Sequence, residues 1–296
     1  MFKHFFIQSL YFLSATIALL SGCTKDVTNI KLPETNSKLV VGCFISPKDT
    51  VIVVTLSRSN PIFGPNHNNN SNNLLVTDAS VTISDDAASV TVPYNSANER
   101  YELQSGLFPI MPAQTYSLTI STPKGESVSA SCTVPISNLT SLTVDFIDTT
   151  ITNPNDYLRI NVKWQDIPNQ TNYYRAYGEI ILIDPFPSSN NDTVPYEMYA
   201  PKSVLNDNEK DGKDMAASLE GYIPYGIDNG VQQTVKIIAY DIYLLNIDAE
   251  YYKYQYSLDH YSYGGDPFSE PSPLYTNIKG GLGIFAAYQK LYMRFP

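Results

Sequence analysis

The chain has 296 residues, with 19 Lys and Arg against 29 Asp and Glu, and a formal net charge of −10. A chain this acidic offers no basic stripe to a phosphate backbone, which excludes nucleic acid as an expected partner. Charged residues make up 16% and Tyr numbers 23 against one Trp, a polar, Tyr-rich balance that suits an exported β protein better than a cytosolic enzyme.

Lys3 precedes an apolar run from about Leu10 to Leu20 that is too short to span a bilayer as a helix. The run closes on Leu20-Ser21-Gly22-Cys23, which resembles the bacterial lipobox. Residues 1–22 are therefore an expected lipoprotein signal peptide, and Cys23 the expected site of lipidation. Residues 23–37 carry no hydrophobic period and read as a lipidated tether. Its opening, Cys23-Thr24-Lys25-Asp26, is similar to the lysine-plus-acid signal that sends Bacteroidetes lipoproteins to the cell surface. The expected location is thus the outer membrane, lipid-anchored and facing outward.

From residue 38 the pattern turns to short β-branched runs, at 39–45, 50–57, 79–84, 89–94, 100–103, 115–121 and 127–134, divided by Pro, Asn, Asp and Gly. Seven such runs predict an immunoglobulin-like β-sandwich over residues 38–136. Tyr116, in Pro112-Ala113-Gln114-Thr115-Tyr116, resembles the tyrosine corner of such domains, in which the hydroxyl bonds back to the backbone just upstream. Cys43 and Cys132 alternate with apolar neighbours and face a core; outside the cytoplasm they are compatible either with a disulfide or with two buried thiols. His67 lies in an asparagine run that supplies no metal partners.

Pro135 and the residues after it mark a boundary near 137, and residues 137–296 form a second expected β-sandwich. Leu158, Ile160, Val162 and Trp164 share one strand face, and Trp164-Gln165-Asp166-Ile167-Pro168 looks like the start of a fibronectin type III module. Residues 172–183 and 231–245 read as longer strands, the latter apolar on both faces and so central. One helix is predicted from about Asp248 to Tyr263, capped by Asp248 and stopped by Gly264-Gly265, ahead of a Gly-rich C-terminal strand. Its stripe Tyr251, Tyr254, Leu258 and Tyr261 has core spacing, while Tyr252, Tyr256 and Tyr263 form a second stripe that is either a face for a partner or is covered by Phe285, Tyr288 and their neighbours.

The ending, with Asp266-Pro267-Phe268, Asn277-Ile278 and Gly280-Gly281-Leu282-Gly283-Ile284-Phe285, resembles the Bacteroidetes lipoproteins grouped as domain-of-unknown-function family 4249. Leu39-Val40-Val41-Gly42, Asp78-Ala79-Ser80-Val81-Thr82-Ile83 and Trp164-Gln165-Asp166 also look like that family's segments, so the resemblance covers about residues 23–296. It implies no activity and no functional residues. What it does suggest is company with TonB-dependent outer-membrane receptors, because genes for such proteins often sit beside theirs.

Candidate chemistry is sparse. Asp207-Asn208-Glu209-Lys210-Asp211-Gly212 resembles the opening of a calcium loop, but Ser218 stands where the bidentate carboxylate is needed, and an Asp-Gly turn explains the same residues. No Gly-x-Ser-x-Gly elbow or zinc ligand set is present, so neither catalytic residues nor a cofactor or metal is expected. Asp241, on the apolar face of its strand, reads first as a buried acid held by Tyr hydroxyls or an Arg. The expected function is a non-enzymatic outer-membrane lipoprotein serving a TonB-dependent uptake system; the alternatives are a surface glycan-binding or adhesive module and, more weakly, a carbohydrate-active enzyme.

Overall fold

A computed structural model describes residues 36–60, 74–136, 139–148, 157–183, 193–222, 227–228, 231–232, 236–261 and 273–296. Residues 1–22, expected as a signal peptide, together with Cys23, His67, Tyr263 and the Asp266-Pro267-Phe268 block, lie outside these residues.

The strands of the first half are Leu39–Ile45 (β1), Val51–Arg58 (β2), Ser80–Ser84 (β3), Ser89–Thr91 (β4), Tyr94–Asn95 (β5), Arg100–Gln104 (β6), Thr115–Ser121 (β7) and Ser127–Thr133 (β8). Those of the second are Thr143–Asp148 (β9), Tyr157–Gln165 (β10), Tyr173–Ile183 (β11), Thr193–Tyr199 (β12), Leu205–Asn206 (β13), Asp214–Tyr222 (β14), Ile227–Asp228 (β15), Val231–Gln232 (β16), Ile237–Ile247 (β17) and Leu282–Phe295 (β18). The α-helix, Ala249–Asp259 (α1), follows β17 directly. The protein is therefore mainly β with one helix near its C-terminus, as the alternation in the sequence predicts.

In the described residues β4-β3-β7-β8 form one sheet, and a 12-stranded sheet runs β5-β6-β2-β1-β18-β17-β11-β12-β14-β10-β9, with β13 paired to β11. The four-stranded sheet packs on the β6-β2-β1 end of the long one, and alternate residues from both fill a first core that includes Val41, Val54, Val81, Ile83, Leu118 and Ile120. Within it Tyr116 is fully buried; its hydroxyl accepts the Met111 N–H at 2.7 Å and donates to the Pro109 carbonyl, the corner geometry expected from its neighbours. A second core gathers Leu158, Ile160 and Val162 of β10, Ile180 and Leu182 of β11, and Ile242 and Leu244 of β17. All of these strands belong to the long sheet, so its two halves on either side of residue 137 share strands and hydrogen bonds.

The shared strand is β18. From Leu282 to Ala287 it pairs parallel with β1, and from Tyr288 to Phe295 it pairs antiparallel with β17. Glycine makes the first pairing reachable: Gly283 has φ of +104°, and a Cβ there would lie 1.9 Å from the Val41 carbonyl oxygen. Asn277 then pins the strand from the side, donating to the Phe285 carbonyl at 2.7 Å and accepting the Phe285 N–H at 3.0 Å.

Cys43 and Cys132 are both buried free thiols in the first core. Since β1 and β8 belong to different sheets, the two sulfurs face across the core and not along a ladder as strand neighbours would. Burial pushes both thiols well above the ordinary range, and Cys43 adds a smaller push on Cys132.

Candidate functional site: a groove beside the helix

The helix begins where the central strand ends. Asp248 is extended, at φ −74° and ψ 170°, and its carboxylate accepts the Tyr251 N–H at 2.8 Å, while Glu250 sits in the positively polarised first turn. Tyr251 is the helix residue that enters the core. Its ring meets Phe44 at 4.7 Å and Tyr288 at 6.3 Å, and its hydroxyl accepts from Arg175 at 2.8 Å. Tyr254 also reaches Phe44. Leu258 and Tyr261, expected in the same docking stripe, stay 36% and 41% exposed, so the stripe covers only the first turns. The helix also ends earlier than predicted, at Asp259: the His260 N–H still reaches the Tyr256 carbonyl at 3.3 Å, but the Tyr261 N–H turns back to the Leu258 carbonyl at 3.1 Å in a tightened last turn.

The second stripe divides. Tyr252 lies against Tyr173 with ring centroids 4.6 Å apart, and its hydroxyl accepts from the Asn206 side chain at 3.0 Å. Tyr256 stacks between Tyr252, at 6.0 Å, and His260, at 4.1 Å, yet keeps 49% of its surface exposed. Tyr173, Tyr252, Tyr256 and His260 thus form one ladder of rings, with its inner end in the core and its outer end open. Tyr252, Tyr256 and His260 of this ladder wall a groove of about 600 Å³, whose other lining includes Lys202, Asn206, Asn208 and Lys210. Of the three tyrosines predicted to meet a partner, two border the groove and Tyr263 lies outside the described residues.

The Ser203 hydroxyl bonds to the Asp259 carboxylate, and His260 Nδ1 faces the Tyr256 carbonyl at 2.8 Å.

Beside the groove, Asp166, Asp207 and Asp211 bring one carboxylate oxygen each within 4.8 Å of one another. Asp166 accepts from the Tyr174 hydroxyl at 2.6 Å and the Gly212 N–H at 2.7 Å, Asp207 from the Asn172 N–H at 2.8 Å, and Asp211 from the Asn169 N–H at 2.8 Å. These donors explain the cluster as a clasp between the β10–β11 turn and the Asp207–Gly212 loop, offsetting the repulsion among three acids. Asp166 was invisible to a motif search because it is supplied by a segment some forty positions upstream of that loop, as its 46-residue separation from Gly212 shows.

A second tyrosine row crosses the sheet. Tyr177, Tyr243 and Tyr292 stand directly opposite one another on β11, β17 and β18, with centroids 4.8 and 5.2 Å apart. Alongside it Asp241 is buried; Arg294 grips both its oxygens at 2.6 Å and the Tyr292 hydroxyl donates at 2.9 Å. Arg294 holds the Asp241 carboxyl below its usual range, so this acid is a satisfied structural ion. The rings of this row stack on one another, and none of them lines the groove.

Residues 25–293 match the family model described as Domain of unknown function (DUF4249), and the chain belongs to that family. No curated protein matches it. No helix among the described residues is long and apolar enough to cross a membrane.

Proposed function

We propose that this member of the family is a non-enzymatic lipoprotein of the outer membrane, anchored through lipid on Cys23, which holds a saccharide in the helix-side groove and passes it to a TonB-dependent receptor. The observation that carries the reading is the Tyr252–Tyr256–His260 ladder, half open at Tyr256, beside the amide-bearing Asn206 and Asn208. Sugar rings present apolar C–H faces to aromatic rings and hydroxyls to amides, and a recess that sets aromatic rings beside amide side chains suits that pairing. The anchor follows from the lipobox-like Leu20-Ser21-Gly22-Cys23. Acyl chains contribute about 0.8 kcal/mol per buried CH₂, which is ample for stable residence when more than one chain is attached.

Binding of neutral and acidic oligosaccharides to wild type and to Tyr256→Ser, followed by calorimetry, tests the reading. Retention by wild type and its loss in the variant, at an unchanged melting temperature, is the expected result. Saccharide binding that survives Tyr256→Ser would place the site elsewhere.

A further inference from the structure

The groove carries a second signal, its charge. Lys202 and Lys210 both line it, and among the described residues neither ammonium is paired with a carboxylate. The acid in the same lining, Asp259, is already engaged by the Ser203 hydroxyl and by the Gln255 side chain. Two cations without a carboxylate partner thus share one recess in a chain whose formal charge is −10. Some of the other cations are paired with acids: Arg58 with Glu126, Arg159 with Glu220, Lys163 with Asp145 and Arg294 with Asp241. The field of such a chain repels anions in general, so a local pair of ammonium groups gives an anion partners in the groove that offset the neighbouring carboxylates.

Resting on the saccharide reading above, we infer that the groove selects acidic saccharides, whose carboxylate or sulfate groups meet Lys202 and Lys210 while a sugar face lies on the open part of Tyr256. The shape agrees with this division. The ammonium groups come from the loop before β13 and the turn after it, whereas the open ring comes from the last turns of α1. A ligand filling about 600 Å³ spans from one to the other, which an isolated inorganic anion does not. Lys ammonium groups act as point charges on flexible stems, so they accept a carboxylate or a sulfate alike and set charge preference more than exact geometry.

The test uses the full chain in detergent, with hexasaccharides of galacturonate, of a sulfated glycosaminoglycan and of uncharged glucose as probes. Wild type is expected to bind the acidic probes about tenfold or more tightly over the uncharged one in 50 mM salt, with the margin shrinking at 300 mM as screening sets in. Lys202→Gln with Lys210→Gln is expected to remove that margin by weakening the acidic probes far more than the uncharged one, while Tyr256→Ser weakens all three. Thermal melts confirm that each variant is folded, since both lysines are exposed. Equal affinity for charged and uncharged probes, unaltered by the lysine changes, would overturn the charge preference and leave the saccharide reading standing. If wild type binds none of the three, both fall together.

Discussion

Asp248 and Ala287 are joined twice: the Asp248 N–H donates to the Ala287 carbonyl at 3.0 Å, and the Ala287 N–H donates to the Asp248 carboxylate at 3.0 Å. The same carboxylate caps α1 through Tyr251. One side chain therefore fixes the start of the helix to the strand that closes the sheet, and it does so almost out of reach of water, at 8% exposure.

That burial has a pH signature. It pushes the Asp248 carboxyl up to about 7, against the pull of two N–H donors. A raised folded-state value means that the folded protein binds the extra proton between about pH 4 and pH 7, so this group's contribution is greatest below pH 4 and declines until about pH 7. The decline is on the order of 4 kcal/mol. Asp248→Asn removes the titration and also sets an amide donor against an N–H, so thermal melts are expected to show lower stability at pH 4, by about 1 to 3 kcal/mol, and a flatter profile from 4 to 7. An unchanged slope would assign the dependence to another group.

Glu126 has the opposite sign. Arg58 lowers it to about 2 by hydrogen bonding, and the pair ties β2 to the turn between β7 and β8. Its stabilisation is present above about pH 4.5 and is lost as pH falls through 2. Glu126→Gln is expected to cost about 1 kcal/mol at pH 7, in denaturant melts, and almost nothing near pH 2.

Gly283→Ala is expected to be among the most damaging single changes, at about 3 kcal/mol or more, because the added methyl meets the Val41 carbonyl and the backbone sits at positive φ. Gly125→Ala, also at positive φ but with open space around it, isolates the conformational part, expected at about 1 kcal/mol. Similar losses in the two variants would contradict the close approach of β18 to β1.

The two buried thiols are expected to resist alkylation in native protein and to react after denaturation without reductant. Mass spectrometry that finds them reactive only after reduction would instead establish a disulfide between Cys43 and Cys132.

Much of this architecture was legible because local alternation is legible. β1 repeats buried and half-buried residues along its whole length, and β7 does so with Tyr116, Leu118 and Ile120 inward. β14 escaped because its inward row is Met215, Ala217, Leu219 and Gly221 against outward Ala216 and Ser218, so small residues on both faces blur the period. β12 escaped because it carries Pro195 and buries Met198 alone in its length. The groove was half legible. Helical spacing separated Tyr252 and Tyr256 from the docking stripe, but Tyr173, Asn206 and the two lysines join them only through tertiary folding, and no spacing rule connects segments so far apart.

The parallel pairing of β1 with β18 sets an order of events for a chain that is synthesised N-terminus first. Cys43 finds its ladder partner Phe285 about 240 positions later, so the first core lacks one wall until nearly the whole polypeptide has been delivered. Ile278, Phe285 and Ala287 are that wall. Until they arrive, the leading half stays unfinished, and closure of the first core reports that synthesis has reached the last strand.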